Sequence, residues 1–272
     1  MTTRPSSAAS GCSRGDAPLM KILVTNDDGV FADGIYALFQ EMKQLGEVIA
    51  IAPASEQSAV GHAITLWNPL RINQVHRHGE FFGYAVNGTP ADCVKLAVHA
   101  IMDERPDVIV SGINLGANIG TAVIYSGTVS AATEGTILGI PSIAVSLATF
   151  SNADFTFSAK FARKLATTVI ERGGLPPGIL LNVNVPAVPE DQVAGVEVTC
   201  NSDSRFEDIF EKRLDPRKRV YYWSAGIDQT YDMTEGTDSA ALRNNKVSVT
   251  PIHFDMTDHP RGAEIAGWNI TL

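Results

Sequence analysis

Two adjacent carboxylates, in the segment Asn26-Asp27-Asp28-Gly29, are the first residues of this 272-residue chain whose types and spacing could do chemistry. Neighbouring carboxylates repel each other by roughly 1 kcal/mol at about 4 Å in water, and by more at a lower effective dielectric. A divalent cation removes that repulsion, and hard oxygen ligands suit magnesium or manganese. The alternative is an Asx-type turn or a helix N-cap. Two carboxylates exceed what a cap needs, so the segment is a candidate metal site.

Two further polar segments carry neutral oxygens and backbone amides. Ser58, in Ser55-Glu56-Gln57-Ser58, could offer a hydroxyl to a metal, although a loop serine more often faces solvent or caps a helix. His62 could assist proton transfer or be a bystander. In the glycine-rich segment 111–120, Asn114 and Asn118 can offer oxygen or amide groups without adding charge.

A helix start follows at Tyr125-Ser126-Gly127-Thr128, and the free amides of such a start form an anion site. The chain has neither a GxxxxGK[ST] nor a GxGxxG motif, so a P-loop and a dinucleotide fingerprint lack support. Carboxylates, neutral oxygens and anion-binding amides together fit metal-assisted transfer of a phosphoryl group to water.

Alternating apolar strands and helical stripes must position these loops. The pattern predicts an α/β fold, a mostly parallel sheet with helices on both faces, whose ligands bind beyond the carboxyl ends of the strands. The predicted strands are Ile22–Val24, Val48–Ala52, Val108–Val110, Ile143–Val145 and Ile179–Val185. Two helices are predicted from apolar stripes that begin at Ile35 and at Phe161, and two more are predicted to start at Thr89-Pro90 and near Thr128.

Residues after Pro186 read as an appended β-rich region, with short strands at Val196, Val220 and Val247. We therefore divide the chain into a disordered extension (1–19), a catalytic core (20–186) and a C-terminal β-rich region (187–272). The basic run Arg217-Lys218-Arg219 is a solvated loop or a contact for acidic polymers.

Composition excludes several classes of protein. Apolar residues make up 44% and charged residues 19%, which is not the composition of a disordered chain. The net charge of -9 argues against a general nucleic-acid binder, and no apolar run is long enough to span a membrane. Three widely spaced cysteines and an N-terminus without a signal-like apolar run favour a reducing, cytoplasmic location.

The run Ile22–Val30, ILVTNDDGV, closely resembles the opening of the survival protein SurE family. The same family pattern recurs, in order, in the remaining motifs, which are Ala52-Pro53 with Ser58, Ser111-Gly-Ile-Asn114, Tyr125-Ser-Gly-Thr128 and Gly236-Thr237-Asp238. The chain departs from it at Ala54-Ser55-Glu56, where many members carry Asp-Arg or Asp-Lys after the proline.

The resemblance implies a Rossmann-like core and a metal-dependent phosphatase for nucleoside 5'-monophosphates, with 3'-nucleotides and short polyphosphate as further substrates. It implies one Mg²⁺ or Mn²⁺ per subunit and a homodimer or homotetramer that exchanges C-terminal elements. The implied metal ligands are Asp27, Asp28, Ser58 and Asn114, with Asp27 and Asp28 also catalytic, and the implied phosphate-binding residues are Asn118, Ser126, Gly127 and Thr128. Whether Asp27 or a metal-activated water attacks phosphorus stays open. The alternatives are a non-catalytic nucleotide sensor and an exopolyphosphatase.

Overall fold

A nine-stranded sheet forms the centre of the molecule, and a two-stranded sheet stands apart from it. The structure, a computed structural model, describes residues 20–268 and residue 270, with side chains described for all of these except 206–208 and 225–229. The predicted disordered extension, residues 1–19, lies outside the described residues.

The strands are β1 (Met20–Thr25), β2 (Gly46–Pro53), β3 (Ile72–Arg77), β4 (Glu80–Val86), β5 (Val108–Leu115), β6 (Ser142–Leu147), β7 (Ile179–Val185), β8 (Val196–Val198), β9 (Arg205–Leu214), β10 (Val220–Thr230) and β11 (Val247–His253). The helices are α1 (Asp33–Met42), α2 (Pro90–Leu96), α3 (Ala122–Tyr125), α4 (Gly127–Ile137), α5 (Thr156–Glu171), α6 (Asp238–Arg243) and α7 (His259–Ala266). A π-helical turn (Ala97–Ile101) extends α2, and a 3₁₀ turn (Glu190–Gln192) precedes β8.

The large sheet has the strand order β3-β4-β2-β1-β5-β6-β7-β11-β8 and is parallel except at β3/β4 and β7/β11. The central strands β1, β5 and β6 are buried along nearly their whole length, because helices cover both faces. On one face α1 and α5 pack through Ile35, Leu38 and Ala162. On the other, α2 and α4 pack through Val94 and Ala131. The predicted α/β class and mostly parallel sheet are confirmed.

Helix α2 shows how the local sequence sets an element boundary. Thr89 caps it by accepting a hydrogen bond from the Asp92 amide, while the Asp92 carboxylate accepts one from the Thr89 amide. The α-helical geometry ends at Leu96 and a single π turn continues the chain. Val98 and Ile101, which lie in that turn, are only partly buried.

The region after Pro186 contributes to both sheets. Strands β8 and β11 extend the large sheet beyond β7, whereas β9 and β10 form an antiparallel two-stranded arm. The boundary near residue 186 stays a prediction. Within residues 20–268, no helix combines the length and the apolar character needed to cross a membrane.

A close approach between α1 and β5 gives a test of this packing. A methyl group added to Gly34 would clash with the backbone carbonyl oxygen of Ile113, so Gly34→Ala should destabilise the fold by about 1–3 kcal/mol in chemical denaturation. The matched control is Gly262→Ala, because no atom lies within 4 Å of the added carbon in α7. It should be neutral or slightly stabilising. Equal effects of the two changes would contradict the close packing of α1.

Candidate active site

Three loops meet at the carboxyl edge of the sheet because β1 lies between β2 and β5 and is parallel to both. The loops that follow these strands carry the acidic pair Asp27 and Asp28, Ser58, and Asn114. The amide of Gln57 donates a hydrogen bond of 2.8 Å to the carbonyl oxygen of Asp27, which joins the first two loops. The predicted convergence at one edge is therefore present in the fold.

Asp27 is only 4% exposed and faces the N-terminus of α4. Its carboxylate accepts a hydrogen bond from the hydroxyl of Thr128. Burial raises the pKa of Asp27, and the Thr128 hydroxyl and the backbone amides of Gly127 and Thr128 act against that rise. A methyl group on Gly127 would lie 2.7 Å from Cβ of Asp27, so the helix start and the carboxylate are in close contact. Gly127 and Thr128, predicted around a phosphate, thus also contact Asp27.

Asp28 lies beside Asp27 and in reach of the β5 loop, where the Leu115 amide donates to its Oδ2 at 3.4 Å. Burial, followed by the negative charges of Asp27 and Glu56, raises the pKa of Asp28 to about 6, although the Leu115 amide acts in the opposite direction. Protein groups alone therefore leave the negative charge of the acidic pair uncompensated.

Ser58 and Asn114 both line the cavity beside the acidic pair. Ser58 donates its hydroxyl proton to Glu56 at 2.6 Å, and the lone pairs of its oxygen stay available as ligands. Asn114 donates from Nδ2 to the carbonyl oxygens of Leu115 and Gly116. Because an amide is planar, Oδ1 of Asn114 points the other way, as an acceptor.

The residues at this edge fit a hard divalent cation. Among the described residues, no three His, Cys, Asp or Glu side chains converge as metal ligands, so an ion here needs neutral oxygens beside the two carboxylates. Three buried oxygens next to the pair have no hydrogen-bond partner, Oγ1 of Thr25, Oδ1 of Asn26 and Oγ of Ser111. Unpaired buried polar atoms are costly, and they cluster where charge is also uncompensated.

Asn118 and Ser126 line the same cavity but have structural partners. The Asn118 side chain donates to Oγ of Ser146 at 2.9 Å, and its backbone pairs with the amides of Asn182 and Asn184. Ser126 caps α4 by accepting from the Val129 amide at 3.1 Å. Their predicted phosphate contacts stay predictions.

Glu134 is a residue that sequence reasoning missed. It lies on α4, is 4% exposed, and its carboxylate pairs with His62 at 2.8 Å and Lys95 at 3.1 Å. Although burial raises its pKa, hydrogen bonds from His62 and Lys95 bring the pKa below the usual value. The pair holds the Ser58 loop against α4, so His62 has a partner away from the acidic pair. A single acidic residue within a helix of small residues was the available signal.

The cavity has a volume of about 940 Å³ and extends from Asp27 past the apolar side chains of Leu115, Phe150 and Pro186 to the end of α6. Asp238, at the start of α6, is fully buried and accepts hydrogen bonds from the amides of Gly120 and Ser202. It fixes the C-terminal region against the glycine-rich loop. A cavity of this size with few polar groups is suited to a small organic ligand.

The raised pKa of Asp28 predicts that the free energy of unfolding of the metal-free protein depends on pH. Because the folded pKa of about 6 lies above the unfolded value, stability is full below the unfolded pKa and falls as pH rises through about 6. Asp28→Asn should therefore stabilise the chelated protein by about 1–2 kcal/mol around pH 7.5, and by less around pH 4.5. Thermal unfolding measures this, with the exposed Asp191→Asn as control. A gain independent of pH would contradict it.

Comparison with known proteins finds relatives of a single family, and the matches cover nearly the whole described chain. The family model of survival protein SurE matches residues 22–208. A relative from Syntrophobacter fumaroxidans, described as 5'-nucleotidase SurE, is 49% identical over 92% of this chain and 100% of its own length. One of the same description from Heliobacterium modesticaldum is 48% identical over 92% of both chains.

A solved structure agrees with the sequence relatives. The crystal structure of SurE protein from Aquifex aeolicus matches with a TM-score of 0.79 and 38% identity, covering 91% of this chain and 98% of that one. The matched family model spans the acidic pair, the Ser58 loop, the glycine-rich loop and α4. With this fold and these relatives, the chain belongs to the survival protein SurE family.

Proposed function

We propose that this protein is a metal-dependent phosphatase that hydrolyses nucleoside 5'-monophosphates to nucleoside and phosphate. The observation that carries the proposal is the acidic pair, in which Asp27 is buried and Asp28 is partly buried, with uncompensated charge at one end of a cavity with apolar walls. The relatives described as 5'-nucleotidase SurE support the same reaction. Nucleoside 3'-monophosphates present the same monoester group and belong in the test.

In this proposal Asp27, Asp28, Ser58 and Asn114 hold one Mg²⁺ or Mn²⁺. Oxygen donors and two carboxylates are the ligands such ions prefer. When bound, the ion would neutralise phosphate oxygens and lower the pKa of water. Glu56 would keep the Ser58 hydroxyl oriented by accepting a hydrogen bond from it.

Phosphate would lie at the start of α4, among Ser126, Gly127, Thr128 and Asn118. Backbone amides at a helix N-terminus stabilise negative charge, and α4 is 11 residues long. Buried amides and hydroxyls would hold the phosphate without reorganising as charge develops on the transferring group. Asp27, in contact with Thr128, orders this helix start before substrate binds.

The exopolyphosphatase alternative has less support in the structure. Arg217, Lys218 and Arg219 lie at the turn between β9 and β10, and none of the three lines the cavity. Arg219 pairs with Asp215 at 2.8 Å. A nucleotide sensor would share the cavity and would differ only in releasing no phosphate.

We also propose a homo-oligomer in the cytoplasm. The β9–β10 arm exposes apolar side chains to solvent, and patches of this kind mark interaction surfaces. They are Ile209, Phe210, Leu214, Val220, Tyr222 and Trp223. The two described cysteines, Cys93 and Cys200, are free thiols, as a reducing compartment favours.

The reaction is tested by phosphate release from 5'- and 3'-mononucleotides and short polyphosphates, after chelation and again with added Mg²⁺ or Mn²⁺. We expect metal-dependent release that favours mononucleotides. Asp27→Asn and Asp28→Asn should each lower kcat at least about 1,000-fold, since charge stabilisation is the largest catalytic term. Asp191→Asn should not change it. Folded protein that binds nucleotide but releases no phosphate would establish the sensor instead.

Glu134 should act on metal binding through the Ser58 loop. Glu134→Gln removes the charge that pairs with His62 and Lys95, and the loosened loop should raise the metal concentration for half-maximal activity by about tenfold. Activity at saturating metal should largely recover. Glu190→Gln, which breaks an exposed pair with Lys160, is the matched control. An unchanged metal requirement in Glu134→Gln would exclude this positioning role.

A further inference from the structure

The end of the cavity farthest from the acidic pair is built by the C-terminal region. Tyr231, Ser239, Leu242 and Arg243 line it together with Asn245. Among the described residues that line the cavity, Asp27 and Arg243 are the two with charged side chains. The cavity is therefore acidic at one end and basic at the other.

Sheet topology sets the separation of the two ends. Arg243 ends α6, and β11 follows after three residues and pairs antiparallel with β7, so its first residues lie at the carboxyl edge of β7. Four inter-strand steps separate β1 from β11, which is about 19 Å at the usual spacing. A mononucleotide and the length of an Arg side chain together fill such a span.

The walls between the ends suit a flat apolar group. Phe150 is 83% exposed, and its ring lies directly against Gly116, whose missing side chain makes room for it. Leu115, Pro186 and Val188 complete this part of the lining. An exposed aromatic face above an apolar cleft is a place where a nucleobase can stack.

Two polar side chains at the basic end, Arg243 and Ser239, have unsatisfied polar groups among the described residues. The guanidinium carbon of Arg243 lies 4.1 Å from the ring centroid of Tyr231, and Arg243 forms no ion pair among the described residues. Stacking on Tyr231 orients the planar donor group. Ser239 is 1% exposed, and its hydroxyl has no hydrogen-bond partner. A buried orphan hydroxyl on the cavity wall indicates a missing polar partner.

We propose that Arg243, stacked on Tyr231 and with Ser239 beside it, forms a base subsite that selects 6-oxopurine nucleotides such as GMP and IMP. The inference rests on the proposed function. Arginine has donors only, in a planar fork, and the guanine or hypoxanthine edge offers two acceptors, O6 and N7. Adenine offers the acceptor N7 beside the N6 amino group, and that amino group would place a donor against a donor of the arginine. Uracil has no second acceptor next to O4, because its N3 carries a hydrogen.

The apolar walls favour a base over a second phosphate at this end. Arg243 and Lys differ in what they can recognise, because Lys is a point charge that binds phosphate but lacks the planar fork. Arg243→Lys therefore separates the two ligands. A base subsite loses its selectivity in this variant, whereas a subsite for a second phosphate keeps its affinity.

The experiment titrates GMP, IMP, AMP and 7-deaza-GMP into chelated protein by calorimetry, so that binding is measured without metal-dependent turnover. We expect GMP and IMP to bind about tenfold more tightly than AMP, with 7-deaza-GMP weakened because it lacks the N7 acceptor. Arg243→Ala and Arg243→Lys should both bring the GMP to AMP ratio close to one. Arg172→Ala, at the opposite edge where α5 leads into β7, should leave the ratio unchanged.

Three results would overturn the proposal: equal wild-type affinities for GMP and AMP, a preference that survives Arg243→Ala, or one retained in Arg243→Lys. The same variants are assayed for phosphate release from GMP and AMP with added metal. A guanine preference in binding without phosphate release supports the subsite while the phosphatase proposal fails. Phosphate release without any base preference supports the phosphatase proposal, while the subsite proposal fails.

Discussion

The candidate site depends on one constraint, that two carboxylates are held side by side at a buried sheet edge. The alternation of strand and helix places Asp27 and Asp28 directly after the central strand β1, where burial is deepest. Solvent screens charge poorly there, and two neighbouring segments supply hydrogen-bond donors. Helix α4 turns its N-terminus toward Asp27, and the Leu115 amide faces Asp28. The charge still exceeds what these groups offset, which is the physical reason for assigning a cation.

Three other buried carboxylates hold the surrounding loops. The Asp92 carboxylate accepts hydrogen bonds from the backbone amide and the hydroxyl of Thr65. The Glu134 carboxylate pairs with His62, and the Asp238 carboxylate accepts a hydrogen bond from the Gly120 amide. Each joins a loop at the cavity to a helix of the scaffold. Hydrogen bonds to buried charged groups are among the stronger ones in proteins, so they fix loop positions that backbone pairing does not. The site is therefore supported by polar contacts on its rim and by apolar packing beneath it.

Local sequence patterns predict much of this architecture. Runs such as Ile22-Leu23-Val24 and Val108-Ile109-Val110 predict buried parallel strands, and the Thr89-Pro90 start and the helix beginning near Thr128 are found within one residue of their predicted positions. The same patterns place the polar loops at one sheet edge. Periodicity and capping are properties of neighbouring residues, so they can be read without the fold. The boundary near residue 186 is different, because β8 and β11 add to the large sheet through pairings between distant residues.

The sequence by itself determined the α/β class, and it predicted the loops of the candidate site and the types of their ligands, since these follow from spacing and side-chain chemistry. Only the tertiary structure decided which polar residues act together. Glu134 reaches His62 across 72 positions, and Asp238 reaches Gly120 across 118. It also decided that Arg243 shares a cavity with Asp27, because β11 pairs with β7 and brings α6 to the carboxyl edge. Such contacts depend on the order of strands in the sheet, which no local pattern encodes.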